Sequence, residues 1–240
     1  MTDSLLPTSE VRSRAQSGSS APKHRRWPAP DDESIHAVVF DCFGTLVNIT
    51  QRTDPYQELI TFLPVVERAS ARLAVMTNKW SLAEAAHQLM VPISGQDLFR
   101  LQRNLAYELA SLACLPGTLD VLNELKERGV RVALCSNLAL PYAAPVDALL
   151  GHLVDVKVWS FEVAAVKPES RIFREVCTQL CLPPKNVLMV GDSYRSDYTG
   201  ALAAGMQALH LFRGDASADV NPADLELRIC ELAEVLRLVG

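Results

Sequence analysis

Three aspartates, two of them closing apolar runs, are the first residues in this chain with an evident chemical use. HAVVFD ends at Asp41, NVLMVGD ends at Asp192, and the SYRSD that follows adds Asp197. A carboxylate at the end of a buried strand is costly to hold unless something uses its charge. If the two runs are neighbouring strands, Asp41 and Asp192 converge. Converging carboxylates repel and protonate unless a hard cation lies between them. Mg²⁺ suits such a place because it takes one or two carboxylates together with waters and phosphate oxygens. Taken singly, Asp192 reads equally well as a turn residue and Asp197 as a charge at a helix N-terminus.

Two further run ends carry groups that suit an oxyanion. VALCSN ends at Ser136 and Asn137, a hydroxyl and an amide, and Lys167 in AAVKPES lies after the next apolar run and before a helical pattern. Lysine is a natural counter-charge to phosphate or to crowded carboxylates. After Asp41 the chain places Phe43 and then turns through Gly44 and Thr45, which puts three more candidates beside the first carboxylate.

The elements that must position these residues follow from periodicity. HAVVFD, VRVALCSN, DVKVWSF, NVLMVGD and MQALHLF predict five buried strands. TLDVLNELKERG predicts a helix in which Leu119, Leu122 and Leu125 share a face and Gly129 supplies the stop. ESRIFREVCTQLCLPP predicts another, with Ile172, Phe173, Val176 and Leu180 at helical spacing. Strands alternating with helices imply an α/β fold, a parallel sheet covered on both faces. Residues 48–113 break the rhythm. PYQELITFL, SLAEAAHQL and DLFRLQRNLAYELASL are helical patterns, with RLAVMT as one weak strand candidate. The expected division is a disordered Ser, Pro and Arg-rich tail over 1–34, a core made of 35–47 and 114–240, and a helical cap inserted over 48–113. The cap would cover the C-terminal edge of the sheet, where open parallel sheets bind ligands.

Bulk properties narrow the partners. A 240-residue chain that is 49% apolar can bury a core, and a net charge of -5 argues against binding nucleic acid through phosphate neutralisation. The basic cluster Lys23, Arg25 and Arg26 reads as part of a solvated tail rather than an address. No apolar run is long enough to cross a bilayer, and the first residues lack a signal-peptide centre. The six cysteines lack paired zinc spacing and read as reduced core thiols, Cys177 and Cys181 on one helix face. These features predict a cytoplasmic protein without a membrane or nucleic-acid partner; a small anionic substrate stays possible through the local sites above. Oligomeric state has no signature in the sequence.

Taken together and in this order, FDCFGTL, LCSN, KPES and VGDSYRSDYTGALAAGM closely resemble the four motifs of the haloacid dehalogenase-like (HAD) hydrolase superfamily. The resemblance covers most of residues 36–213, and the insertion position matches the helical cap of its subfamily I members. It implies a Rossmannoid parallel sheet with helices on both faces and an inserted helical cap. It also implies Asp41 as a nucleophile that forms a covalent aspartyl intermediate. Thr45, Ser136, Asn137 and Lys167 would hold the transferring group and orient Asp41. Asp41, Asp192 and the main-chain carbonyl of Phe43 would bind Mg²⁺, with Asp197 supporting them. Phe43, Gly44 and the cap residue Arg52 are the candidates for substrate contact. Arg52, Arg100 and Arg103 also read as solvated charges on amphipathic helices. The Thr77 and Asn78 pair imitates the second motif but lies within the cap, where packing is its expected role.

Phe43 divides the functional reading. Phosphatases of the family carry a second aspartate at this position, which protonates the leaving oxygen and later activates water. General acid help of this kind is worth about 10² to 10⁴-fold. The family's 2-haloacid dehalogenases carry an aromatic there and need neither acid nor metal, so Phe43 favours them. Asp192 and Asp197 in GDSYRSD favour the Mg²⁺-dependent phosphatase form. The order of expectation is phosphoryl hydrolysis from a good leaving group, then metal-independent dehalogenation, then phosphate or partner binding with little turnover.

Overall fold

The computed structural model describes residues 34–213 and 228–239. Residues 1–33, with the expected tail and its basic cluster, lie outside the described residues.

In chain order the elements are β1 (Ala37–Phe40), β2 (Val47–Ile49), α1 (Pro55–Thr61), α2 (Arg68–Thr77), α3 (Leu82–Gln88), α4 (Gly95–Ala110), β3 (Leu112–Cys114), α5 (Thr118–Glu127) and β4 (Arg131–Ser136). They continue with α6 (Ala143–Leu150), β5 (Val156–Trp159), α7 (Ser160–Val163), α8 (Ser170–Leu180), β6 (Val187–Gly191), a π-helical turn over Tyr194–Thr199, α9 (Gly200–Ala203), β7 (Gln207–Leu211) and β8 (Arg228–Ile229). Six strands form one parallel sheet in the order β5-β4-β1-β6-β7-β8. All five expected strands are present. The two-residue β8 is too short to show a pattern of its own.

The strand residues are apolar on both sides because both faces of the sheet are covered. Val38, Phe40, Val132, Leu134, Leu188 and Val190 pack on one face with Leu122, Leu125 and Val146 of α5 and α6. Ala37, Val39, Ala133, Val187 and Met189 pack on the other with Ile172, Phe173, Val176 and Leu180 of α8 and Ala201 of α9. The result is a Rossmannoid sheet with helices on both faces. The centre of the sheet matters most for chemistry. β1 pairs with β4 on one side and β6 on the other, with Phe40 opposite both Leu134 and Val190. Asp41, Ser136 and Asp192 therefore leave the sheet at the same edge within two residues of one another in register.

Between β2 and β3, which pair antiparallel as a separate ribbon, α1 to α4 gather around Leu59, Ile60, Val75, Leu82, Leu101 and Leu105. The expected cap limits, 48 and 113, fall inside that ribbon. α3 begins with a capping box between Ser81 and Glu84, and Ser94 caps α4.

Three local expectations are corrected. RLAVMT is part of α2 rather than a strand, because Ala71 and Val75 are buried four residues apart while Leu73 faces outward, a helical and not an alternating pattern. Leu119 is 44% exposed and does not share the buried face of Leu122 and Leu125. Cys181 is exposed, because α8 ends at Leu180 and Cys181 itself turns into the left-handed region at φ 51°. Cys230 is likewise exposed and Cys114 half-buried, so the core thiols are Cys42, Cys135 and Cys177.

These placements predict unequal costs in α5. Leu122→Ala should lower stability by about 2–5 kcal/mol through cavity formation, whereas Leu119→Ala should change it by no more than about 0.5 kcal/mol. Chemical denaturation of both variants measures this, and equal losses would contradict the assigned face of the helix.

Candidate active site

The site is built on the C-terminal edge of the three central strands. Asp41 follows β1, and its amide donates to the Val190 carbonyl of β6 at 3.0 Å, fixing where the side chain departs. Both Ser136 Oγ, at the end of β4, and Lys167 Nζ reach Asp41 Oδ1, at 3.1 and 2.7 Å. Lys167 Nζ also lies 2.6 Å from Asp197 Oδ1, so one buried ammonium joins two buried carboxylates. Asn137 does not approach Asp41 in these contacts. Its amide nitrogen donates to the Lys167 carbonyl at 3.0 Å and its oxygen accepts from the Lys167 amide at 2.8 Å, a reciprocal pair that fixes the lysine's backbone.

Two glycines make room for the carboxylates. Gly44 has φ +82°, and a Cβ there would lie 2.1 Å from Asp192 Oδ2, so any other residue would push Asp192 away as well as strain the turn. A Cβ on Gly191 would lie 2.2 Å from Asp197 Oδ2. Asp197 is held in addition by the Ser193 amide at 3.0 Å. One carboxylate oxygen from each of Asp41, Asp192 and Asp197 lies within 4.8 Å of the other two.

This cluster carries three carboxylates against one ammonium. Burial raises the Asp41 carboxyl, an effect that Lys167 opposes and the charge of Asp197 reinforces. Asp192 is pushed up to about 6, first by burial and then by the charges of Asp41 and Asp197. Burial alone would lower Lys167, but Asp41 and Asp197 outweigh it and hold the ammonium above the ordinary lysine value. Burial pushes Cys135 up to about 12 and raises Cys42, so neither neighbouring thiol is a nucleophile at neutral pH.

The donor set fits Mg²⁺ on its chemistry. All the ligands it offers are hard oxygens, and with the carboxylates ionised the cluster lacks two positive charges, which one divalent cation supplies. Thr45 Oγ1 is buried without a hydrogen-bond partner among the described residues, leaving a donor for an incoming oxyanion.

Phe43 is half-buried and meets Tyr142 edge to face, with ring centroids 5.8 Å apart. Together with Tyr56 and Ile49 they line a cavity of about 250 Å³. Arg52 lies at this cavity with its guanidinium 3.5 Å from Asp54 and mostly exposed. Arg100 is occupied by Glu58, and Arg103 is exposed. Thr77 and Asn78 hydrogen-bond back onto α2 through the carbonyls of Leu73 and Ala74.

Sequence reading missed two residues here. Glu108 on α4 is 1% exposed; its Oε2 accepts from the Thr53 amide and hydroxyl and the Asp54 amide, and its Oε1 from the Tyr142 hydroxyl. Its signal was a charged residue in phase with Leu101 and Leu105. Arg213, just beyond β7, donates to the Thr45 carbonyl at 3.1 Å and braces the loop after Asp41. Its signal was a cation directly following a strand that ends at the same sheet edge.

A family model described as haloacid dehalogenase-like hydrolase matches residues 35–205. The chain belongs to that family. Among HAD relatives, it is 34% identical over 116 residues to a phosphoserine phosphatase of Thermus thermophilus, covering 48% of this chain and 46% of the relative. It is 33% identical over 104 residues to a glyceraldehyde 3-phosphate phosphatase of Methanothermobacter thermautotrophicus, covering 42% and 46%. The chain thus spans about half the length of the curated relatives it matches. The fold is shared with the L-2-haloacid dehalogenase of Xanthobacter autotrophicus at a TM-score of 0.60 and 20% identity, covering 85% of this chain and 98% of that one. No described helix is long and apolar enough to cross a membrane.

Removal of the shared ammonium is the sharpest structural test. Lys167→Met should cost about 3–5 kcal/mol at neutral pH, because Asp41 and Asp197 are left buried without a counter-charge. Without the opposing ammonium, burial lifts the folded Asp41 value further above its unfolded one, at a cost that is absent at low pH and grows as pH rises. In EDTA, the deficit against wild type should therefore be larger at about pH 7.5 than at about pH 5. An equal deficit at both values would contradict the role given to Lys167.

Proposed function

We propose that this HAD-family chain is a Mg²⁺-dependent phosphohydrolase acting through Asp41 on a small anionic substrate with a good leaving group. The observation that carries this reading is the fixed Asp41 carboxylate, held at one oxygen by Lys167 and Ser136 inside an acidic cluster that lacks two positive charges. The matched relatives named as phosphatases support the same class. Residues 48–113 serve as a cap over this edge, and the free cysteines suit a reducing cytoplasm.

Asp41, Asp192 and the Phe43 carbonyl would hold Mg²⁺, with Asp197 behind them. When bound, the ion neutralises phosphate charge and keeps Asp41 ionised. With Oδ1 held by Lys167 and Ser136, Oδ2 is the oxygen that neither contact engages, and it attacks phosphorus. The bond from phosphorus to the leaving oxygen breaks with its electron pair passing to that oxygen. Thr45, Ser136 and Lys167 offer donors to the transferring phosphoryl oxygens. Water then attacks phosphorus, the bond to Asp41 breaks, the carboxylate is regenerated, and phosphate and a proton leave. Phe43 can neither protonate the leaving oxygen nor take a proton from water. The leaving group must therefore depart as a stable anion, as from an acyl phosphate or an aryl phosphate with an acidic phenol.

Asp41→Asn should abolish turnover of such substrates while leaving the denaturation midpoint near that of wild type; an active, folded variant would remove Asp41 from the mechanism. Asp192→Ala should lose both activity and the thermal stabilisation given by added Mg²⁺, since a ligand that binds only the native state raises its stability. Phe43→Asp should raise turnover of alkyl phosphates by about 10²-fold or more by restoring an acid and base. If wild type already hydrolyses alkyl and activated aryl phosphates equally and the variant gains nothing, another group supplies the proton.

A second reading rests on the Phe43 ring itself. An aromatic wall beside Asp41 suits carboxylate attack on the carbon of a 2-haloacid, with halide leaving unaided. Halide release that persists in EDTA would favour that chemistry over phosphoryl transfer.

A further inference from the structure

We propose that the cavity walled by Phe43, Tyr56 and Tyr142 receives the flat, apolar ring that carries the leaving oxygen, with no second charge on it, so that the substrate is an aroyl or aryl phosphate. The inference rests on the phosphohydrolase reading and adds the class of group being released.

The argument begins with the wall. Phe43 is two residues from Asp41, and Asn137 follows the serine that hydrogen-bonds Asp41, so the cavity that both line adjoins the nucleophile. Its remaining surface is largely Ile49, Met76, Leu138, Tyr56 and Tyr142. The tyrosine rings lie 6.3 Å apart and tilted, and Tyr142 and Phe43 meet edge to face. Three aromatic rings in sequence form a surface for another ring. A volume of about 250 Å³ is more than one ring needs, since an apolar cavity of about 150 Å³ holds benzene.

Most polar groups of the cavity are already engaged, the exception being the mostly exposed guanidinium of Arg52, whose Nε lies 3.5 Å from Asp54. Tyr142 donates to Glu108, and Tyr56 donates to the Trp80 carbonyl at 3.3 Å. Both Glu108 oxygens accept from protein donors, and the Asn137 amide is paired with the Lys167 backbone. Hydroxyls on a sugar or glycerol leaving group would find few free partners and would lose hydrogen bonds to water on entry. Charge points the same way. Glu108 and Asp54 face the cavity against the single guanidinium of Arg52, which is 3.5 Å from Asp54. A second carboxylate on the leaving group, beyond the group that carries the leaving oxygen, would meet two negative charges against one exposed guanidinium that Asp54 already shares.

Glu108 gives this wall its rigidity. By accepting from Thr53, Asp54 and Tyr142 it ties α4 and the segment before α1 to the loop after β4, holding the Tyr142 ring against Phe43.

Benzoyl phosphate and acetyl phosphate test the proposal, because both release a carboxylate that needs no proton and they differ chiefly in the ring. With the full chain and Mg²⁺, kcat/KM for benzoyl phosphate should exceed that for acetyl phosphate at least about tenfold, given that one methylene in an apolar pocket is already worth about tenfold or more. Ile49→Trp, which fills the cavity, should lower that ratio. Calorimetric binding of phenylphosphonate, methylphosphonate and phosphonoacetate makes the cavity testable without turnover: phenylphosphonate should bind at least about tenfold tighter than either of the others. Equal affinities, or a preference for phosphonoacetate, overturn the cavity assignment. Hydrolysis of both acyl phosphates at equal kcat/KM leaves Asp41 chemistry standing and removes the aromatic subsite. Failure to hydrolyse either, with phenylphosphonate still preferred, removes phosphohydrolysis and keeps the subsite.

Discussion

The buried ammonium of Lys167 is the constraint on which the rest of the site depends. It lies 2.7 Å from Asp41 and 2.6 Å from Asp197, and its side chain is 2% exposed. Two carboxylates at the edge of an apolar sheet could not both remain ionised without it. Much of the neighbouring structure serves to hold that lysine in place. Asn137 clamps its backbone from the end of β4, and Gly200, at the start of α9, carries no side chain to collide with Pro168. The ammonium compensates only part of the cluster, and Asp192 is raised first by burial and then by the charges of Asp41 and Asp197. On the proposed reading, a divalent cation answers that imbalance and so lets an anionic phosphate approach the same place.

Phe43 sets the chemical character on the other side of the nucleophile. The sheet edge below it is polar and charged, while the cavity above is aromatic and its polar atoms are internally paired. The division suits a reaction in which charge is handled on the phosphoryl side and the departing group receives only shape. On the proposed mechanism, the same absence of a carboxyl that limits the leaving group removes the usual base for the second step, and hydrolysis of the aspartyl intermediate would become the slower half of the cycle.

Most of the fold was legible because buried parallel strands are short apolar runs whose ends are marked by polar residues. Asp41, Ser136 and Asp192 stand at or just beyond such ends, and the sheet order brings them together, while Lys167 reaches them from the segment between α7 and α8. The errors arose where local pattern is ambiguous. RLAVMT is apolar enough for a strand, and only the burial of Ala71 with Val75 reveals the helix. Cys181 shares a helical spacing with Cys177, but the helix ends before reaching it. Glu108 was invisible for a different reason. A glutamate on an amphipathic helix ordinarily faces water, and its partners, Thr53, Asp54 and Tyr142, are distant in sequence. Asn137 was legible as a site residue, while its contact with the Lys167 backbone depends on a loop that periodicity does not describe.

The central claim is that phosphorus is transferred to Asp41, and direct detection of that bond tests it. The full-length protein would be mixed with Mg²⁺ and an acyl phosphate, quenched in acid during turnover, digested and examined by mass spectrometry. The account predicts a phosphoryl group on the peptide carrying VVFDCFGTLV, located at Asp41, at a steady-state level that falls when Phe43 is replaced by Asp. Steady release of phosphate with no label on that peptide, or with the label on another residue, would contradict it.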